Sequence, residues 1–570
     1  MDKYKRQLYP KRNDSVVWKM NNELSEDVLL PDEKDVEGIY NLIFDLISRK
    51  EEKIIKDKKD DIYNIKKYLW SIFSKNEVNF DFKDLKIDIV KGSIYKIKKY
   101  FMEVNNIQDI RGGSMMVDYL NIDYVEKSII NLGLNYYNII YCGGGNILLV
   151  VPQGMGKKIC AFFESELKKR ALTLKCAFDF IEKTLDEFLF EFKLVKDELD
   201  EKVNERSKVK LYYVGYDNEL DNIQFKFKEN SDKEDYTLNL KKYFVKENLQ
   251  VICSSCDINN AKYCIKSGDE EKYYCSSCAR KHLLGKREDN LINKYEKYIK
   301  NKYNMELKNK KDLFKGSLDD IFKKQDIAVI YGDGNNMGNV VEQIDNVFSM
   351  MYFSRRTDKI TKESVYEAIY NNMNCNAVFQ IIALGGDDIF IVVPANHALK
   401  IASDIICNFD DKFNHDITMS VGVVISKVDT PIASTFDLAQ QRLKIAKELV
   451  KQKGLKEGSI DVLELTGEFH DTSESKNREF PMSNSSFIAF KDEVINAREN
   501  VKLNSQLNKL SYAKSTMEEE EFNLFYYYQK SKSSTIDDFI HKVYRNINSK
   551  KYLSPYNVNW DDILLMWKRI

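Results

Sequence analysis

The sequence predicts an α+β fold in which one βαββαβ unit occurs twice, with a zinc module between the copies and helical regions at both ends. Three observations predict it. Tyr141-Cys142-Gly143-Gly144-Gly145-Asn146-Ile147-Leu148-Leu149-Val150-Val151-Pro152 parallels Ala383-Leu384-Gly385-Gly386-Asp387-Asp388-Ile389-Phe390-Ile391-Val392-Val393-Pro394. Each stretch is preceded by a strand-like run and followed by a helix candidate (157–172; 397–411) and a second strand (174–178; 417–424). Two cysteine pairs fall between the copies. A repeated supersecondary unit is the economical account of such a match.

Taken in order, residues 1–90 alternate charge runs with helical periodicity (Val36, Ile39, Tyr40, Ile43, Leu46, Ile47), so a helical region is expected there. Residues 91–245 hold the first copy, in which Gly145 and Asn146 stand where the second has Asp387 and Asp388. It brings no hairpin charge to hold a divalent ion, which makes it structural or a nucleotide-binding partner. Residues 246–290 hold the cysteines, 291–325 a helical linker, 326–470 the second copy and 471–570 a helical C-terminal region.

The second copy carries the chemistry. Ile381–Leu384 and Ile389–Val393 read as short strands, and Gly385-Gly386 is a hairpin signal. Asp387 and Asp388 therefore sit at the tip, on rigid backbone. The buried-looking run Ile327–Gly332 ends on Asp333. Three carboxylates converging on one spot repel one another unless cations intervene, and hard oxygen ligands suit Mg²⁺ or Mn²⁺. Two such ions in one site serve phosphoryl or nucleotidyl transfer.

Cys253, Cys256, Cys275 and Cys278 give C-x₂-C-x₁₈-C-x₂-C, the spacing of a closed four-thiolate zinc site with a structural role. Cys264 lies between the pairs as a competitor, and Arg280, Lys281 and His282 beyond them read as a solvated loop, or else as a contact for a partner or RNA.

Composition bounds the rest. With 88 Lys+Arg against 89 Asp+Glu in 570 residues, net charge argues neither for nor against nucleic acid. No window approaches 18 consecutive apolar residues, and no apolar segment follows the basic start, so neither a membrane span nor a secretory signal is expected. Ten cysteines, four at metal spacing, point to a reducing cytoplasm rather than a disulfide scaffold.

These residues resemble the large polymerase-cyclase subunit of type III CRISPR effector complexes, nearest to its Cmr-type branch, over roughly residues 95–570. Tyr331-Gly332-Asp333-Gly334-Asn335-Asn336-Met337-Gly338 is similar to the family's Asp-Gly-Asp-x-Met-Gly signature, with Asn335 at its second Asp. Gly385-Gly386-Asp387-Asp388 is similar to its GGDD, and Met419-Ser420-Val421-Gly422 with Leu443–Lys447 to its later strand and triphosphate-facing helix. The resemblance implies two ferredoxin-like palm domains and an antiviral enzyme that converts ATP to cyclic oligoadenylate messengers when target RNA is captured. It implies that Asp333, Asp387 and Asp388 hold two Mg²⁺ or Mn²⁺ ions. Gly334, Asn335, Asn336, Gly338, Gly385, Gly386, Ser420 and Lys447 would hold ATP, and Gly144, Gly145 and Asn146 the second nucleotide. It also implies other complex subunits, guide RNA and target RNA as partners, in the cytoplasm. Many members begin with an HD nuclease, but the five histidines here are His282, His397, His415, His470 and His541, so no DNase activity is expected. Two other readings use the same residues: a stand-alone palm cyclase, and a catalytically silent RNA-binding scaffold. The product, whether a ring or another adenylylated conjugate, is left open.

Overall fold

The computed structural model describes residues 86–570 except 135–137, 210–221, 226–235, 246–250, 268–269, 288–289, 309, 466–477, 501–502, 533 and 549–553. The helical region expected over 1–90 lies almost wholly outside the described residues. The chain divides into two compact units, one of residues up to Asn290 with Asn336–Lys359, the other of Leu291–Asn335 with Ile360–Ile570.

In the first unit β1 (Lys86–Tyr95) leads through α1 (Ile107–Asp118) and α2 (Tyr124–Asn131) to the hairpin β2 (Ile139–Gly143) and β3 (Asn146–Pro152). α3 (Gly156–Arg170) and β4 (Lys175–Thr184) follow. The antiparallel sheet has the order β2-β3-β1-β4. β1 begins ahead of the boundary expected at 91, because Ile87, Ile89 and Val90 are core residues. A second hairpin, β5 (Tyr263–Ser267) and β6 (Glu270–Tyr274), precedes α5 (Ser276–Gly285).

α5 is no solvated loop. Lys281 is fully buried, its ammonium donating to Tyr100 O at 2.5 Å and to Glu103 at 2.9 Å, and Arg280 donates to Lys169 O at 2.9 Å. His282 meets the buried Asp109 of α1 at 2.7 Å. α1 and α5 touch backbone to backbone: a Cβ on Gly112 would stand 1.8 Å from Lys281 O, and one on Gly285 1.9 Å from Gln108 O. Polar residues after a zinc knuckle look exposed in sequence, but a helix with a glycine at each crossing draws its polar side chains inside, where each finds a partner.

In the second unit the strands are β7 (Ile327–Gly334), β8 (Gln380–Gly385) and β9 (Asp388–Pro394), then β10 (Met419–Ser426), β11 (Ser459–Glu464) and β12 (Met482–Ser483). Its helices include α6 (Val347–Met373) from Ile360 onward, α7 (Ala395–Lys412) and α8 (Ile432–Lys453). The sheet order is β8-β9-β7-β10-β11-β12. Its first four strands repeat the first unit's order. β11 joins β10 in parallel after the α8 crossover, and β12 pairs through Ser459↔Ser483. The sheet thus runs past the boundary expected at 470, and the terminal helices start after it: α9 (Asn484–Asn500), α10 (Asn504–Thr516), α11 (Glu519–Lys532), α12 (Thr535–Asn548) and α13 (Trp560–Arg569). Buried Trp560 packs on Phe522 and Tyr526, and Arg569 spans Asp326 and Glu464 at the sheet's end.

The two sheets match residue by residue. Ile87 pairs with Pro152 as Ile327 does with Pro394, and Gly92 with Ile147 as Gly332 does with Ile389. Both hairpins break register at the same place, between Ile139 and Tyr141 and between Ile381 and Ala383.

Candidate active site

β7 is the central strand, so its end lies between the ends of β9 and β10. Alternation along a strand puts Tyr331 and Asp333 on one face, and the pairing Phe390↔Tyr331 puts Phe390 and Asp388 on that same face. The face is covered by α8: Phe436 stacks on Phe390 at 4.4 Å and meets Tyr331 edge-on at 5.2 Å. α8 lies this close because β10 has Gly422, where a Cβ would stand 2.3 Å from Ala439 O. Eleven residues on from Phe436, or three turns, Lys447 brings its ammonium to Asp333 and donates to Gly334 O at 2.8 Å.

The hairpin tip explains how an acid reaches the corner. The pair Gly385↔Asp388 leaves Gly386 and Asp387 as the two central turn residues, and only Gly386 has a positive φ (+62°). A turn of this kind needs glycine first and accepts a side chain second. The half-buried Asp387 carboxyl is pushed well above the usual carboxylate range by its burial and by the charges of Asp333 and Asp388. Tyr331 donates to Asp388 Oδ1 at 3.1 Å.

Asn335 and Ser420 sit beside Asp333, Ser420 being its register partner on β10, and bond to one another and to neighbouring hydroxyls. Both are buried: Asn335 donates to Thr418 Oγ1 and accepts from Ser420 Oγ, each at 2.9 Å, and Ser420 meets Ser459 Oγ at 3.0 Å. The amide at the signature's second Asp thus ties the end of β7 to β10 and β11. Asn336 has a left-handed backbone (φ +57°) before the short helix Met337–Glu342, and a Cβ on Gly338 would meet nothing within 4 Å.

The first copy's corner differs more than its hairpin suggests. The register sets Ser93 opposite Asn146, the place that Asp333 holds in the second copy, so all three acids are replaced. Gly144 and Gly145 both have positive φ (+56° and +85°), and Ile94 N donates to Gly145 O at 2.6 Å. A Cβ on Gly145 would lie 2.5 Å from Ile94 O. With its carboxamide turned to suit its neighbours, buried Asn121 accepts from the amides of Gly144 and Gly145 at 3.3 and 3.2 Å. Asn146 is exposed.

The ligand atoms of Cys253, Cys256, Cys275 and Cys278 all lie within 4.8 Å of one another, and Cys264 is outside the group. Hydrogen bonds from Cys275 and Cys278 hold the Cys253 thiol far below its ordinary range. Four converging sulfurs suit zinc. Among the described residues no other set of three or more acid, His or Cys ligand atoms gathers so closely. No described helix is long and apolar enough to cross a membrane.

Two sheets of one order, with acids at the central strand and hairpin tip of one of them, define a palm-type fold. Residues 326–455 match the family model of the Cas10/Cmr2 second palm domain. Residues 326–455 thus carry a palm domain of the Cas10/Cmr2 type. It is similar in structure to Csm1 of T. onnurineus (14% identity, TM-score 0.54, covering 86% of this chain and 71% of that one). It is similar also to a Csm1–Csm4 cassette in complex with pppApA (15%, 0.52, 86% and 70%) and to one in complex with AMPPNP (12%, 0.51, 94% and 80%). It spans 54% of the chain matched in an apo Csm1–Csm4 cassette, at a TM-score of 0.42. No curated protein matches it by sequence.

Proposed function

We propose that the second palm is the catalytic domain of an RNA-activated nucleotidyltransferase in a type III CRISPR complex, making a cyclic oligoadenylate-type or other adenylylated messenger from ATP. The observation that carries this reading is the meeting of Asp333, Asp387 and Asp388 at the end of two neighbouring strands, with Lys447 beside them. It is supported by the family of residues 326–455 and by the AMPPNP and pppApA bound to chains of similar fold. Other subunits, guide RNA and target RNA are the partners this reading entails.

The three carboxylates are the residues that would hold Mg²⁺ or Mn²⁺, which when bound activates an attacking oxygen and stabilises a leaving one. The reaction forms a bond from a ribose hydroxyl oxygen to an α-phosphorus and breaks the α–β phosphoanhydride, with pyrophosphate leaving and the hydroxyl proton passing to solvent. Lys447 neutralises triphosphate charge, and the backbone amides from Gly334 to Gly338 orient the phosphates. Asn335 and Ser420 serve by fixing the strand that presents Asp333. Catalysis by this chain is therefore mainly positioning and charge stabilisation.

The test is the complex carrying this chain, incubated with target RNA, divalent cation and labelled ATP, with products resolved by mass. Adenylylated product that depends on RNA and disappears in the Asp387→Ala/Asp388→Ala variant is the expected result. Product that persists in that variant refutes the assignment.

A further inference from the structure

We propose that Lys447 is the resident counter-ion of Asp333, and that it must release Asp333 before a divalent cation and a nucleotide can share the corner, so that cation and nucleotide bind synergistically. The inference rests on the reading of this corner as a nucleotidyl-transfer site.

Four observations carry it. Lys447 donates to Asp333 Oδ2 and to Gly334 O, so one ammonium engages both the carboxylate and the backbone beyond it. Both side chains are about 30% exposed (29% and 31%), so the pair can open to solvent without disturbing the core. Tyr331 already occupies Asp388 on the same face of the sheet, so Asp333 and Asp388 each have a partner to which a cation must be added or exchanged. The hinge is short: Phe436 and the close approach over Gly422 fix α8, so only the flexible lysine stem need move.

The consequence follows from competition. A cation arriving alone must displace Lys447 from Asp333 and leave the ammonium unpaired. A cation arriving with a triphosphate gives the ammonium a new anionic partner. The nucleotide therefore lowers the cost of cation binding, and by reciprocity the cation lowers the cost of nucleotide binding. A partly exposed ion pair of this kind sets the expected penalty at about two- to fivefold in cation affinity.

The test is Mn²⁺ binding to the full-length chain, read from the electron paramagnetic resonance of free Mn²⁺, with and without AMPPNP. The wild type should bind Mn²⁺ at least about two- to fivefold more tightly when the nucleotide is present. Lys447→Met should raise nucleotide-free affinity by about the same factor and abolish most of the nucleotide's effect. Lys447→Arg, which keeps the charge, should behave like the wild type. Unchanged or weaker nucleotide-free Mn²⁺ binding in Lys447→Met overturns the inference. Mn²⁺ binding that is the same in the wild type and in Asp387→Ala/Asp388→Ala, with nucleotide present, overturns the reading of the corner itself.

Discussion

Tyr331 donates to Asp388 Oδ1 at 3.1 Å from the neighbouring strand, while its ring is held edge-on by Phe436 and Phe390. One aromatic residue thus serves the core with its ring and the acidic corner with its hydroxyl. Tyr331→Phe keeps the ring and removes the aim. The expected outcome is product formation reduced about tenfold, with a stability change below about 1.5 kcal/mol. Rate assays beside a thermal melt separate the two effects, and a large loss of stability would contradict this division of labour.

Gly422 is the spacer that sets the depth of α8. A Cβ there lies 2.3 Å from Ala439 O and 2.4 Å from Leu443 N, which are helix backbone and cannot step aside singly. Gly422→Ala should cost about 1–3 kcal/mol by overpacking. Because the displaced helix carries Lys447, ATP binding should weaken as well. A denaturant melt and a nucleotide-binding titration on the same preparation check both halves.

How much of this was legible in sequence differs from residue to residue. The hairpin repeat was visible because its signal is local: glycines, alternation and a shared Val-Val-Pro lie within a dozen positions. Ser93 was not, since its correspondence to Asp333 depends on pairing across more than 50 residues and on a strand that begins before the expected boundary. Neither could the sequence say why the first copy lost its acid. Gly145 needs φ +85° and stands against Ile94 O, so Gly145→Asp should destabilise the first unit by about 1–3 kcal/mol rather than rebuild a metal corner. A gain of divalent cation binding in that variant, without loss of stability, would contradict this account. The burial of Lys281 and His282 was likewise hidden, because it comes from a glycine-mediated helix crossing that no local pattern announces.

The four-sulfur group predicts a metal-dependent fold for the cysteine module. Ser255, inside the first knuckle, donates to Asp109 Oδ2 at 2.5 Å, and Asp109 holds His282, so the knuckle is tied to α1 and α5. Cys253→Ser or strong chelation should therefore loosen more than the module, lowering the unit's melting temperature by several degrees. Metal analysis should give about one zinc per chain. Full stability with zinc well below one equivalent would remove the site.

Asp410 offers a pH signature outside the active corner. It is 1% exposed and accepts from Met419 N at 2.9 Å and Gly458 N at 2.6 Å, pinning the start of β10 to the start of β11. Burial pushes its carboxyl up to about 8 from an ordinary 3.8, against the downward pull of those two amides. The folded chain thus holds a proton that the unfolded chain releases above about pH 4. Its contribution to stability is fully present below the unfolded value and is lost as pH rises through about 8, with a slope of up to about 1.4 kcal/mol per pH unit. Asp461, pushed up to about 6 by burial against Arg478 and Arg442, acts in the same direction at lower pH. Asp410→Asn cannot titrate and retains one acceptor for two amides. Its stability should start about 1–3 kcal/mol lower at pH 5. The gap to the wild type should then narrow steadily from pH 5 to about 8 and level off above it, because over that range the unfolded wild type releases a proton that the folded chain retains, and the variant has no such proton. Chemical denaturation across that range measures the gap directly, and a constant gap would show that Asp410 is already ionised in the fold.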